Sequence, residues 1–231
     1  MNKSVTLWCA LYLLASVAIA LGFPLATRAQ SLDQPLDELD EAHPRVRAFA
    51  RSMADLQSFS ADIECAIETP SLTTEKGVKG RILARGECYK IVTPGLELYS
   101  DGRSRWQYLS EQNEVTIVPL DSVEAAPLDH PLQLFKRYAT YFKVRYRGER
   151  RESGKTYLDY SFYPRNLRQP YSQIHLEVLG EGYIPSKLTY RGKDGTTYLI
   201  TMRNFKKNAP IAESLEFDSA QHPGVTEVDL R

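Results

Sequence analysis

VKGRILARGECYKIVTPGLELYSDGRSRWQYLSEQNEVTIV, the stretch from Val78 to Val118, decides the fold. It splits into short runs rich in β-branched and aromatic residues, which predict strands at 78–84, 87–92, 95–100, 103–109 and 113–118. Arg85-Gly86, Pro94-Gly95 and Asp101-Gly102 punctuate them, and such dipeptides mark tight turns. Connections this short require antiparallel neighbours, because a parallel pair needs a long crossover.

The same period extends outward in both directions. In 59–68, Phe59, Ala61, Ile63, Cys65 and Ile67 share one side, and Ser60, Asp62, Glu64 and Glu68 fall on the other. Downstream, strands are predicted at 141–148, 155–163, 171–179, 184–191 and 196–205, with Gly148, Gly154, Pro170, Gly180-Glu181-Gly182 and Gly192-Lys193-Asp194-Gly195 between them. Two helices interrupt. Pro44 suits a first helical turn, and Val46, Phe49, Ala50, Met53 and Leu56 follow at 3/4 spacing until about Gln57. After a loop over 119–130, Asp129 can cap a second, short helix that opens on Pro131 and carries Leu132, Phe135, Tyr138 and Ala139. The tail from Asn208 reads as irregular, with a short strand at Ser214–Phe217. A sheet of about eleven antiparallel strands curls. The expected fold is therefore mainly β with α: an unclosed antiparallel β-barrel whose open, apolar side short helices cover, enclosing a hydrophobic cavity.

The N-terminal end reads as a targeting signal. Lys3 precedes an uncharged run from Val5 to Phe23, and small residues stand at 27 and 29, so cleavage after Ala29 is expected. A retained anchor is the alternative, since the apolar run is just long enough to span. Cys9 opens the apolar run rather than closing it, which argues against acylation there. The expected organisation is a signal peptide at 1–29, an acidic flexible arm at 30–42 and one domain at 43–231. Cys65 and Cys88 remain after cleavage. Regular strands would point their sulfurs to opposite faces, and the sequence leaves their pairing open.

Composition narrows the function. The 231 residues are 42% hydrophobic and 25% charged, which is ordinary for a globular protein. The 29 basic and 29 acidic residues balance, so the basic excess of a nucleic-acid binder is missing. His43, His130, His175 and His222 have no zinc-ligand spacing, and no Cys-x-x-Cys occurs. His43 and His130 precede prolines at helix starts, and His222 precedes a Pro-Gly turn. His175 reads as solvated beside Glu177. No G-x-S-x-G, phosphate-binding loop or dinucleotide fingerprint is present. No enzyme activity, cofactor or metal is expected.

Four stretches together resemble the periplasmic outer-membrane lipoprotein carrier (LolA) family. They are Leu56-Gln-Ser-Phe-Ser-Ala-Asp-Ile63; Arg85-Gly-Glu-Cys-Tyr-Lys-Ile91; Ser100-Asp-Gly-Arg-Ser-Arg-Trp-Gln-Tyr108 with Asn113-Glu-Val-Thr-Ile117; and His222-Pro-Gly-Val-Thr-Glu-Val-Asp-Leu-Arg231. The second departs from the family pattern at Gly86, Tyr89, Lys90 and Ile91, and Arg85 matches the family's first arginine, so the chain looks like a divergent member. The resemblance implies a non-catalytic, monomeric periplasmic carrier. It would take acylated lipoproteins or other lipid from an inner-membrane transporter, shield the acyl chains, and pass them to an outer-membrane acceptor. A lipid-sensing regulator of the envelope is the alternative from another class, and a hydrolase on a curved sheet a third.

Period-2 alignment nominates the cavity lining: Phe59, Ile63, Ile67, Tyr89, Ile91, Trp106, Tyr108, Leu158, Tyr160, Phe162, Ile174, Leu176 and Leu188. The lid would be the second helix, through Leu132, Phe135 and Tyr138, with the Arg85 guanidinium expected to reach carbonyls of residues 131–139 or of a neighbouring loop.

Overall fold

A computed structural model of the chain describes residues 43–69, 77–120 and 131–231. The expected signal peptide, the arm, and the Asp129 cap with His130 lie outside those residues. Helix α1 (Pro44–Ala54) begins at the expected proline. The His43 ring accepts the Arg45 N–H at 3.1 Å, satisfying one of the free donors of the first turn. Val46, Phe49 and Met53 form the buried stripe, and Leu56 continues it beyond the last turn.

All the strands predicted between residues 59 and 205 form, with small shifts at their ends. They are β1 (Ser58–Glu68), β2 (Val78–Arg85), β3 (Cys88–Thr93), β4 (Leu96–Ser100), β5 (Ser104–Leu109), β6 (Glu114–Pro119), β7 (Phe142–Glu152), β8 (Lys155–Pro164), β9 (Tyr171–Leu179), β10 (Ile184–Gly192) and β11 (Thr197–Lys207). A further strand, β12 (Thr226–Asp229), completes one sheet in the order β12-β6-β5-β4-β3-β2-β1-β11-β10-β9-β8-β7. Two meanders, β1–β6 and β7–β11, are thus joined by the antiparallel β1–β11 pair. The edge strands β7 and β12 do not pair with each other among the described residues, so the barrel is unclosed.

This order explains the helices. The link from β6 to β7 must pass from one side of the sheet to the far edge. It carries α2 (Pro131–Lys136) and α3 (Tyr138–Tyr141), which bury Leu132, Leu134, Phe135 and Tyr138 in the same core as α1. The core therefore lies on one face of the sheet, here called inner. The sequence spacing predicts one continuous second helix; it breaks at Arg137, whose backbone leaves the helical region at φ −121°, ψ 27°. No helix among the described residues is long and apolar enough to cross a membrane.

Two other boundaries differ from expectation. The sequence predicts Gly148 as the end of its strand. Instead it sits in a bulge of β7 at φ 140°, and the ladder continues to a turn at Ser153-Gly154, both at positive φ, as a type I′ hairpin requires. The expected strand at Ser214–Phe217 is absent, because the Ser214 hydroxyl takes the Glu216 N–H at 3.2 Å and bends the chain locally. The tail instead crosses the outer face and runs parallel to β6 at Thr226–Asp229, a geometry that its long crossing from Asn208 allows.

Candidate functional site

Register places most of the nominated lining on the inner face. Phe59 and Ile63 of β1 oppose Ala84 and Gly80 of β2, and Ile82 and Ala84 oppose Ile91 and Tyr89 of β3. A Cβ at position 80 would meet the Val92 carbonyl at 2.4 Å, so only glycine fits there. Across the second meander, Leu158, Tyr160 and Phe162 oppose Val178, Leu176 and Ile174, and Leu188 opposes Leu176. All of these join one buried cluster with α1, α2 and α3. Ile67 is buried as well, opposite Tyr198, but lies outside that cluster.

Lining and helices meet through rings. Phe59 contacts Phe135 of α2 edge-on at 5.7 Å, Tyr138 of α3 contacts Phe162 at 5.7 Å, and Phe49 of α1 contacts Tyr160 at 5.3 Å. The helices' apolar side chains therefore occupy the inner face. The Tyr160 hydroxyl donates to the Arg45 carbonyl at 3.2 Å, and burial pushes its pKa up, so it stays a neutral donor.

Trp106 and Tyr108 are a correction. They lie on the outer face with Tyr99, Val115 and Ile117, and the inner positions of β5 are Arg105, Gln107 and Leu109. The tail is the reason. It covers that face, so the Tyr108 ring stands 4.2 Å from His222 and 5.7 Å from Phe217, and Trp106 lies 6.0 Å from the Arg231 guanidinium. Aromatics there are buried without facing the helices. Sequence reading missed Arg105, an inner-face cation only 6% exposed, opposite the fully buried Ser100. Its strict alternation with the aromatics was the available signal.

Arg85 also points outward. Of the two expected partners it takes the neighbouring irregular segment, its guanidinium donating to the Ile211 carbonyl of the tail at 2.9 Å and not to residues 131–139. α2 is tied nearby by a different pair, Gln133 Nε2 donating to Glu87 at 2.8 Å. Arg85→Leu is accordingly expected to speed amide exchange around Ile211 and leave exchange over 131–136 unchanged; acceleration over 131–136 would restore Arg85 to the lid.

The helices are held unequally. Lys207 Nζ, whose pKa burial lowers, donates to the Gly182 carbonyl at 2.8 Å and the Ser52 carbonyl at 3.1 Å, binding α1 to the β9–β10 turn. Asn208 accepts from Gln57 N–H at 2.8 Å and donates to the Asp55 carbonyl at 3.2 Å, fixing the end of α1. α2 has the single bond from Gln133 to the Glu87 carboxylate beside its apolar contacts, whereas α3 has Arg165 Nε donating to the Ala139 carbonyl at 3.1 Å, the Arg165 N–H donating to the Tyr141 carbonyl at 2.9 Å and the Tyr138 hydroxyl donating to the Val46 carbonyl at 3.5 Å.

The two cysteines are free. Cys65 packs against the core, and burial pushes its thiol up to about 11; Cys88, on the outer side, is raised less, again mainly by burial. Since the thiolate is the reactive form, Cys65 is expected to react with a thiol reagent at pH 8 about a hundredfold more slowly than an unperturbed thiol, and more slowly than Cys88. Mass spectrometry of the partly labelled chain checks this; equal labelling would contradict the burial of Cys65.

Other polar groups sit outside. His175, 37% exposed at its side chain, also pairs with Asp159 at 3.2 Å, and Ser161, opposite it in the ladder, takes a bond from Gln173 at 2.8 Å. The Ser161 side chain is buried beneath that amide rather than presented as a nucleophile. No group of metal-ligating side chains assembles among the described residues. An open groove of about 530 Å³ lies on the outer face beside Lys79, Arg81, Leu83, Lys90 and Glu213. Lys90 closes part of it through an ion pair to Glu213 at 3.3 Å.

No family model matches the chain, and no curated protein matches its sequence. Solved structures do. An uncharacterized conserved protein of Thermus thermophilus is similar with a TM-score of 0.49 and 11% identity, over 81% of this chain and 99% of that one. A LolA superfamily protein of Nitrosomonas europaea is similar with a TM-score of 0.39 and 9% identity, over 74% of this chain and 97% of that one. MucB, in its Pseudomonas aeruginosa complex with MucA, is similar with a TM-score of 0.36 and 17% identity, over 75% of this chain and 60% of that one. At such identities none of these likenesses assigns a function to this chain.

Proposed function

We propose that the protein is a periplasmic carrier that shields an acyl chain against the inner face of its sheet. It would receive acylated lipoproteins or a related lipid from an inner-membrane transporter and hand them to an outer-membrane acceptor. The observation that carries the reading is the unequal fastening of the inner face. A continuous apolar surface, from Tyr89 and Ile91 to Leu158 and Phe162, is covered in part by two short helices. Helices of one or two turns do not stand without tertiary contacts, so whatever competes for that surface displaces them. An acyl chain competes well, at about 0.8 kcal/mol per buried CH₂. Leaving α2 exchanges one apolar occupant for another. α1, held by Lys207 and Asn208, would remain as the fixed wall.

The test is direct binding. The purified chain is titrated with a fluorescent fatty acid and, in parallel, its solvent extract is analysed by mass spectrometry. Saturable uptake near one chain per protein, displaced by an acylated tripeptide and not by the unacylated peptide, supports the carrier reading. An empty extract together with no uptake removes it.

A further inference from the structure

We propose that the loop joining β8 to β9, residues 165–170, is a membrane contact, in which Leu167 enters the headgroup layer of an anionic phospholipid surface and the cations around it lie on the phosphates. Leu167 and Leu230 are the large apolar side chains left exposed among the described residues, at 79% and 60%. A lone exposed leucine needs no explanation, but the surroundings of these two differ. The cation beside Leu230, Arg231, is neutralised by Asp229 at 2.7 Å. Leu167 lies between Arg165 and Arg168, both exposed, and no acid occurs from Tyr160 to Leu176. Further exposed cations come to the same end of the sheet. Gly192 pairs with Tyr171 and the Lys193 N–H donates to the Pro170 carbonyl at 2.9 Å, which sets Arg191 and Lys193 beside the loop. The Arg165 N–H donates to the Tyr141 carbonyl at 2.9 Å, which brings in Arg137 from the start of α3. Among the described residues no carboxylate pairs with Arg137, Arg168, Arg191 or Lys193.

The turn holds the leucine at its tip. Asn166 Oδ1 accepts the Arg168 N–H at 2.9 Å and the Asn166 carbonyl accepts the Gln169 N–H at 3.3 Å, so the tip is closed by its own asparagine. Lys193 Nζ donates to the Leu167 carbonyl and fastens the tip to the β10–β11 turn. Asp194, the acid of that turn, is folded back onto the Thr196 N–H at 2.9 Å. An ordered apolar tip ringed by arginine and lysine fits an anionic interface, where buried apolar area and attraction to lipid phosphates add. Each cation contributes about fivefold in affinity there. An acidic peptide would satisfy the cations but leave Leu167 in water. Arg165 Nε donates to the Ala139 carbonyl at 3.1 Å, so a bilayer that meets the loop lies beside α3 and the helical cover of the inner face. The contact goes beyond the carrier reading and does not rest on it.

The experiment is co-sedimentation of the chain from Gln30 to Arg231, which retains every described residue, with vesicles of phosphatidylcholine alone and of phosphatidylcholine mixed with phosphatidylglycerol. The expected result is binding to the anionic vesicles only, lost at 1 M NaCl, where charges are screened beyond about 3 Å. Arg168→Ala with Lys193→Ala should weaken that binding about 25-fold, at about fivefold per cation. Leu167→Ser should weaken it without changing its salt dependence. Leu167→Trp should add an emission that shifts to the blue with the anionic vesicles and not with polyglutamate. All three positions are exposed turn residues, and unchanged amide exchange over 171–179 checks that the variants fold. Absence of binding, or equal binding to both kinds of vesicle, overturns the proposal. So does anionic binding that survives the changes at 167, 168 and 193, which would move the contact to another basic surface, or a Leu167→Trp emission that shifts with polyglutamate alone, which would make the partner an acidic protein. Fatty-acid uptake in solution should be equal in the parent and in Arg168→Ala with Lys193→Ala, so failure of the membrane contact and failure of the carrier reading are separate results.

Discussion

Phe135→Ala is expected to lower the protein's stability and raise its affinity for an acyl chain at the same time. Phe135 is 3% exposed and packs edge-on against Phe59 and Phe205. Truncating a buried phenylalanine costs about 3–5 kcal/mol. Here much of that loss falls on the docked state of α2, because the ring is the largest side chain fixing that six-residue helix. If an acyl chain and α2 compete for the same face, weakening α2 enlarges the fraction of molecules able to bind. Apparent affinity scales with that fraction. A shift of about 3 kcal/mol corresponds to as much as a hundredfold. Fatty-acid titration and urea unfolding on the same preparation measure the two effects. If affinity falls along with stability, Phe135 is a wall of the site rather than its competitor.

Phe59→Ala should have the largest purely structural effect. Phe59 is 1% exposed and stands where the two meanders meet, opposite Ala84 on one side and Lys207 on the other. It stacks on Phe205 at 4.9 Å and meets Phe135 of α2. Its removal loosens the β1–β11 seam and the helix together. The expected cost of about 3–5 kcal/mol corresponds to a fall in Tm of about 10 °C for a chain of this size. Unlike Phe135→Ala, this change damages the face that the acyl chain would use, so affinity should fall. A loss under about 1 kcal/mol would mean that the seam is held mainly by its backbone ladder.

Legibility in the sequence followed the reach of each signal. Strands were readable because alternation is local and Gly-containing turns mark its breaks, and α1 because Pro44 and its 3/4 stripe agree. β12 was missed because four residues, Thr226 to Asp229, carry too little period, and their partner β6 lies more than a hundred residues away. The inner face was mostly legible, since wherever one face is buried the alternation has a definite phase. It failed at Trp106 and Tyr108. β5 is buried on both faces, by the core and by the tail, and an aromatic on such a strand does not say which side it serves. For Arg85 the second of the two expected partners holds, a carbonyl of a neighbouring irregular segment rather than of residues 131–139, and the choice was not legible because Ile211 belongs to a tail whose path no local pattern encodes. The fastening of α1 by Lys207 and Asn208 was invisible too, because it joins residues more than 150 positions apart.

Displacement of α2 by an acyl chain is the central claim, and amide exchange over residues 131–141 tests it most directly. The chain is measured alone and saturated with a palmitoylated tripeptide, with exchange over 171–179 as the internal reference. The account predicts that ligand makes 131–141 exchange faster while Val46 to Met53 of α1 keep their protection. Unchanged exchange over 131–141 in the saturated protein, at rates equal to those of the central strands, would contradict it.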